Sequence, residues 1–303
     1  MRFPPEGLLY DTAENQEFLS GRRGLESASL EGRTLEARAV RCDGCCNLFV
    51  ELGGRAVVIP RGEAIIDPDN QKDVAILSRV GRPVCFKVLR APGCQEEEPR
   101  FLLSRRAAQE EAMEYLMNRL NIGEIIWCRV SRLECFGVFV DIGRGIPSFI
   151  GIENISVSRI RHPAERFRIG QLIPAVVTEI DRTRKRVMLS HKELLGTWEE
   201  NAAFFHSGDT VEGIVRGIEP YGVFIELAPN LSGLSDPHEG LREGQRVCVY
   251  IKSIIPEKMK IKLAVVDVLP DCPVRKPVRY FLPGRRILGW SYAPESPAEN
   301  SCE

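Results

Sequence analysis

A chain of 303 residues with 44% hydrophobic content can bury two to four small cores, which excludes a disordered protein, and its net charge of −1 argues neither for nor against a polyanionic partner. No apolar run reaches the roughly eighteen residues that a membrane span needs, and MRFPPEGLLY lacks the basic, apolar, small-residue order of a signal peptide. The expectation is a cytoplasmic protein with no membrane partner, whose 10 cysteines are free thiols rather than a disulfide framework.

Residues 1–29 are polar, show little periodicity and read as a short helix or arm. A first unit, 30–106, runs from Leu30 through Gly32, LEARAV, an Asp43–Gly44 turn, LFVELGG, AVVIPRGE, Gly81 and CFKVL to RFLLSRR. Within it Cys42, Cys45 and Cys46 form CxxCC, a spacing that invites zinc. Structural zinc takes four ligands and no second CxxC or HxxxH completes the set, so the segment reads as a hairpin turn and no metal is expected. In AAQEEAMEYLMNRL, Met113, Leu116, Met117 and Leu120 recur at helical spacing, predicting an amphipathic linker helix over 107–121 that packs on its neighbour.

The central unit, 122–192, organises the rest. Ile126, Cys128, Val130 and Leu133 alternate before ECFGVFVDIG, in which Phe136 and Phe139 lie three residues apart. On a regular strand that spacing puts the rings on opposite faces, and Gly137 permits a bulge or bend that turns both to one face. SFIGIENIS follows, then the polar loop HPAERF, then Gly170 and a second alternating run. Finally Asp181 opens a tight turn, and Arg184, Lys185 and Arg186 lead into Val187, Met188 and Leu189. Five short strands in about seventy residues suit a small closed barrel. The unit holds twelve Lys and Arg against seven Asp and Glu. The surplus gathers at Arg159–Arg168 and Arg182–Arg186, as a groove tracking phosphates beside stacking rings would require.

ELLGTWEENAAFF, with Leu194, Leu195, Trp198 and Phe205, predicts a second linker helix over 193–206, weakened by Gly196. A third unit, 207–268, repeats the second: Gly208 lies 85 residues after Gly123, and Tyr221, Gly222 and Phe224 match Phe136, Gly137 and Phe139 at that same offset. The first unit is a degenerate copy, with Phe49–Gly53 matching Phe139–Gly143 but Cys46 and Asn47 standing where the central unit has Phe136 and Gly137. The third unit is acidic in balance and has a shorter loop, and its Lys258, Lys260 and Lys262 follow no matching aspartate, so weaker binding is expected there. Residues 269–303, rich in proline, read as a flexible extension whose Arg285, Arg286 and Trp290 touch a ligand or pack on the third unit.

The order G, V, FGVFVDIG, GIENIS, G, V, EID, KRVMLS resembles the RNA-binding OB-fold domain of the ribosomal protein S1 family along the whole of 122–192. The three-unit arrangement, with IPRGE in the first unit and LSRRAAQEEA after it, resembles that family's short bacterial members. The resemblance implies a mostly-β chain of three tandem five-stranded OB-fold barrels, the first degenerate, joined by short α-helical linkers. It implies binding of single-stranded RNA, with mRNA and the small ribosomal subunit as partners in translation. It makes Phe136 and Phe139 stacking residues, and Asp181 and Arg186 base, sugar or phosphate contacts with Arg184 and Lys185 beside them. The histidine common in the family is Asn154 here, which exchanges a stacking contact for a hydrogen-bonding amide. Through the repeat, Tyr221, Phe224 and Lys260 take the corresponding places, and His162 and His238 in the two loops complete the candidates. No GxxxxGK(S/T), GxSxG or HExxH signature occurs, so no enzyme, cofactor or small-molecule substrate is expected. Two other readings stay open: an off-ribosome RNA-binding regulator or RNA-decay accessory, and a ribosome-associated protein scaffold that binds little RNA.

Overall fold

The computed structural model describes residues 2–66, 73–90, 101–270, 278–282 and 284–293. Helix α1 (Ala13–Leu19) starts at Thr12, whose hydroxyl accepts the Asn15 N–H, and α2 (Arg22–Leu30) crosses it at Gly24. A Cβ at Gly24 would lie 2.4 Å from the Phe18 carbonyl oxygen, so only glycine lets the two helices approach this closely. Leu19 and Ala28 are buried in the first core, which makes the N-terminal residues a cover for the first sheet.

That sheet contains β1 (Thr34–Cys42), β2 (Leu48–Leu52), β3 (Arg55–Ile59), β4 (Pro83–Arg90) and β5 (Phe101–Ser104), with the short helix α3 (Val74–Leu77) before β4. Leu35, Ala37 and Ala39 alternate inward along β1. The β1–β2 turn is tied by the Asp43 carboxylate, which accepts N–H bonds from Cys45 and Asn47. Strand order is β3-β2-β1-β4-β5 and the sheet stays open, lacking the β3–β5 ladder that would close it.

Helix α4 (Arg105–Arg119) is capped by the Ser104 hydroxyl, which accepts the Ala107 N–H. Its Met113, Leu116 and Met117, with Leu120 just beyond, are buried in the core of the central barrel. That barrel closes in the order β10-β8-β7-β6-β9, from β6 (Ile125–Glu134), β7 (Gly137–Asp141), β8 (Pro147–Gly151), β9 (Leu172–Asp181) and β10 (Arg186–Ser190). Cys128, Val130, Val138, Val140, Ile150, Ile173, Val187 and Leu189 fill it. Register shifts in β6 at Val130/Arg132 and between β9 and β10 at Met188/Leu189 give the bends that closure needs.

The predicted linker over 193–206 is two pieces, a 3₁₀ turn at Lys192–Leu195 and α5 (Trp198–Ala202). The break is at Gly196, whose φ of +80° is outside the helical range and against which the Phe281 ring packs. Thr197 then restarts the chain with a capping box to Glu200. A second closed barrel follows from β11 (Thr210–Glu219), β12 (Gly222–Ala228), β13 (Leu231–Ser235), β14 (Arg246–Ile255) and β15 (Lys260–Val268).

The tail departs from the expected flexible extension. Its described parts form a strap laid back over the junction and the central barrel. The Phe281 N–H donates to the Leu194 carbonyl, the Ile125 N–H to Arg285, and the Ile287 N–H to Gly123. Burial pushes the pKa of His191 down to about 4 and keeps its ring neutral. Nδ1–H of that ring donates to the Ile155 carbonyl at 2.9 Å, and Nε2 accepts the Tyr280 hydroxyl at 3.2 Å. The acidic end PAENSCE lies outside the described residues.

The first unit is locked to the central barrel through Glu6. Its Oε1 accepts from Arg105 Nε at 2.7 Å and from the Cys85 N–H at 3.1 Å, its Oε2 from Arg105 Nη2 at 3.0 Å, and its own N–H donates to Asp141 at 2.8 Å. Burial raises the Glu6 pKa, but the Arg105 guanidinium outweighs it and holds the carboxyl below its ordinary value. Nearby, Glu36 is 1% exposed, and its Oε2 accepts the N–H groups of Gly7, Leu9 and Tyr10. Burial, then the Glu6 charge, raise the Glu36 pKa from 4.5 to about 7. A raised carboxyl favours the folded state fully below its unfolded pKa, and that contribution is lost as pH rises through the folded value. The Glu36 share of stability should therefore fall by about 1 kcal/mol between pH 6 and pH 8, and Glu36→Gln should remove that share from the slope of stability against pH in denaturant titrations at the two pH values. Equal slopes in both proteins would refute the assignment.

Candidate nucleic-acid interface

The outer face of the central barrel carries a row of side chains at matched register. Phe139 on β7 pairs with Arg132 on β6 and Phe149 on β8, and Phe149 pairs with Met188 on β10. Their sequence neighbours Val138, Val140, Ile150 and Leu189 are buried, so alternation turns this row outward. Phe136 joins the row by a bend rather than a bulge, the two routes that the sequence allowed. Cys135 and Phe136 form the two-residue turn between β6 and β7, closed by the Glu134–Gly137 pair. Freed from the strand period, the Phe136 ring leans over the face with 55% of its surface exposed. Its centroid lies 6.2 Å from Phe139, edge-on at 89°, and 5.7 Å from Phe149, while Phe139 and Phe149 are 5.1 Å apart.

Gly137 acts here as clearance rather than as a bulge. A Cβ at that position would meet the Ile150 carbonyl oxygen and the Phe149 ring, each at 2.4 Å, and its φ of +156° disfavours any side chain. Phe149 is the residue the sequence reading missed. The available signal was its parity, outward between buried Ser148 and Ile150, but the third unit has Leu234 in the matching register and so no aromatic repeats there.

The Ile152 N–H donates to the Phe136 carbonyl at 3.0 Å and brings the Gly151–Asn154 turn beside the rings. Asn154 is held there, its Oδ1 accepting from Lys192 Nζ at 2.8 Å. On the β9–β10 hairpin, Asp181 pairs with Arg186 and its carboxylate accepts the Arg184 N–H at 2.9 Å. Lys185 occupies the left-handed turn position at φ +51°, and the Arg184 side chain is exposed. Arg186 is exposed two residues before Met188, on the same outward side of β10.

The third barrel reproduces the ring pair. Tyr221 and Phe224 have centroids 6.2 Å apart at 89°, and Lys260 stands exposed at the start of β15, after a turn whose Met259 is also left-handed. In the first unit, Arg41 lies over Phe49 at 3.9 Å and no ring replaces Phe136. His162 and His238 stand apart from both ring pairs in their bonding. His162 caps the Pro163–Glu165 turn through Nδ1, which accepts the Ala164 N–H, in a loop that binds the third barrel, and His238 Nδ1 lies 2.8 Å from its neighbour's carbonyl. Among the described residues no cluster of potential metal ligands forms and no helix is long and apolar enough to cross a membrane.

Comparison with known proteins bears on these faces. The model of the S1 RNA binding domain matches residues 119–192. Small ribosomal subunit protein bS1 from Staphylococcus aureus strain N315 is 32% identical over 240 residues, a match that spans 74% of this chain and 59% of the relative. The protein of that name from Staphylococcus haemolyticus is 30% identical over 239 residues, again covering 74% and 59%. A multidomain protein with nucleic acid binding domains from Streptococcus pneumoniae aligns over 77% of this chain and 73% of its own at 15% identity, with a TM-score of 0.26 too low to carry weight. The chain is thus related to the bS1 ribosomal proteins along most of its length, and its central barrel is an S1 RNA-binding domain.

Proposed function

We propose that the chain binds single-stranded RNA, in particular mRNA, as a cytoplasmic protein of the small ribosomal subunit that helps to gather message for translation. The observation that carries this reading is the cluster of Phe136, Phe139 and Phe149 on an open barrel face, with Arg132, Arg184, Lys185 and Arg186 around it. Rings stack unpaired bases of any sequence, and guanidinium and ammonium groups hold the phosphates between them. Such a face binds a strand and performs no chemistry on it. The second site is Tyr221, Phe224 and Lys260, which is weaker because Leu234 replaces the third ring. Once the central barrel holds a strand, the third meets it at high effective concentration. The bS1 relatives supply the ribosomal part of the reading.

Fluorescence anisotropy with a labelled, unstructured RNA of about twenty nucleotides tests the first part. Affinity should fall with salt at a slope of about −0.7 per phosphate neutralised. Absence of binding would leave the scaffold role instead. Co-sedimentation with small subunits tests the second part, and RNA binding without co-sedimentation would point to a regulator acting off the ribosome.

A further inference from the structure

The central and third barrels enclose a cavity of about 800 Å³ that neither ring face includes in full. One wall is the segment after β8 of the central barrel. It is fixed to the third barrel by the Val157 N–H on Asn230 Oδ1 at 2.9 Å, the Ser158 N–H on the Pro229 carbonyl at 3.0 Å, and the Ser158 and Ser232 hydroxyls at 2.9 Å. The buried Arg166–Glu226 and Arg216–Glu226 pairs, at 2.6 and 2.7 Å, brace the same junction. The opposite wall is the third barrel's own binding face, with Phe224 and Lys260. Trp198 and Tyr292, from the linker and the strap, also line the space.

The lining has the chemistry of a nucleotide site. Arg161 and Arg216 are neutralised by Glu243 and Glu165, but Arg159, Lys258 and Lys260 have no carboxylate partner among the described residues and face only Glu219 as a free acid. Phe224, 37% exposed, offers a ring to stack upon. The volume falls within the few hundred to about one thousand Å³ usual for ligand sites.

We propose that this cavity is a nucleotide subsite for single-stranded RNA, with one base on Phe224 and the flanking phosphates on Arg159 and Lys258. The proposal rests on the RNA-binding reading above and adds a contact made by two barrels together, so that the rigid docking of the pair sets the path of the strand. A strand that enters here contacts the central barrel through Arg159 and the third through Phe224 and Lys258 at once.

The test compares wild type, Arg159→Ala with Lys258→Ala, and Phe136→Ala with Phe139→Ala, all as full chains, using an oligouridylate of about twenty nucleotides that contains 4-thiouridine. Arg159 and Lys258 are exposed, so the first pair of changes leaves folding alone. The expected result is a loss of affinity of about fivefold or more and a salt slope shallower by about 1.4, for two phosphates at 0.7 each. Photo-cross-links should also map to the peptides that hold Phe224 and Tyr292. If the Arg159 and Lys258 variant matches wild type in affinity and slope while the Phe136 and Phe139 variant is weakened, the cavity proposal fails and the RNA reading stands. If wild type binds no RNA, both fail.

Discussion

Replacing Phe136 and Phe139 by alanine together should weaken binding of an unstructured twenty-nucleotide RNA by at least tenfold, since each stacked base contributes about 1–3 kcal/mol. The slope of affinity against salt should stay near that of wild type, because the cations of the face are untouched. Neither ring belongs to the barrel interior, which is filled by Val138, Val140 and Ile150, so unfolding should shift little. Anisotropy titrations across a salt series, with unfolding curves on the same samples, separate these effects. Unchanged affinity would show that bases do not stack on this face. Within the pair, Phe136→Ala alone should have the larger effect, because its ring is the more exposed of the two.

Glu6→Ala should destabilise the chain by about 3–5 kcal/mol, because it leaves the guanidinium of Arg105 buried without its counter-charge. Arg105 is 1% exposed, and its remaining described acceptor is the Ala64 carbonyl at 3.2 Å. Glu6→Ala also removes the carboxylate that takes the Cys85 N–H, adding one unsatisfied donor in the same place. Pairing the change with Arg105→Met, which removes the charge and keeps most of the volume, should recover much of the loss. Denaturant unfolding of the two variants beside wild type decides the matter. A single variant within 1 kcal/mol of wild type, or a double variant no better than the single, would mean that the pair does not hold the first unit to the central barrel.

Much of this architecture was legible beforehand because its signals are local. Strand alternation set Cys128 and Val130 on one face, which the barrel buries, and the spacing of Met113, Leu116, Met117 and Leu120 gave the face by which α4 enters the central core. The offset of 85 residues between the second and third units predicted equivalent ring pairs, and both have centroids 6.2 Å apart at 89°. Local signals also left choices open. The three-residue spacing of Phe136 and Phe139 allowed a bulge or a bend beside Phe136, and a two-residue turn ends β6 before the ring and releases it from the strand's alternation. Gly196 was read as a weak point in one helix, and it divides two.

What the sequence by itself determined is therefore each unit's strand pattern, its inward and outward residues and its likeness to the other units, since backbone periods of two and 3.6 residues write these into neighbouring positions. Only the tertiary structure decided that Phe149 completes the ring cluster, that Glu6 meets Arg105 across 99 positions, that the tail pairs with Gly123–Ile125, and that the second and third barrels enclose a cationic cavity. These contacts depend on how finished units dock, and docking joins residues at separations that carry no period along the chain.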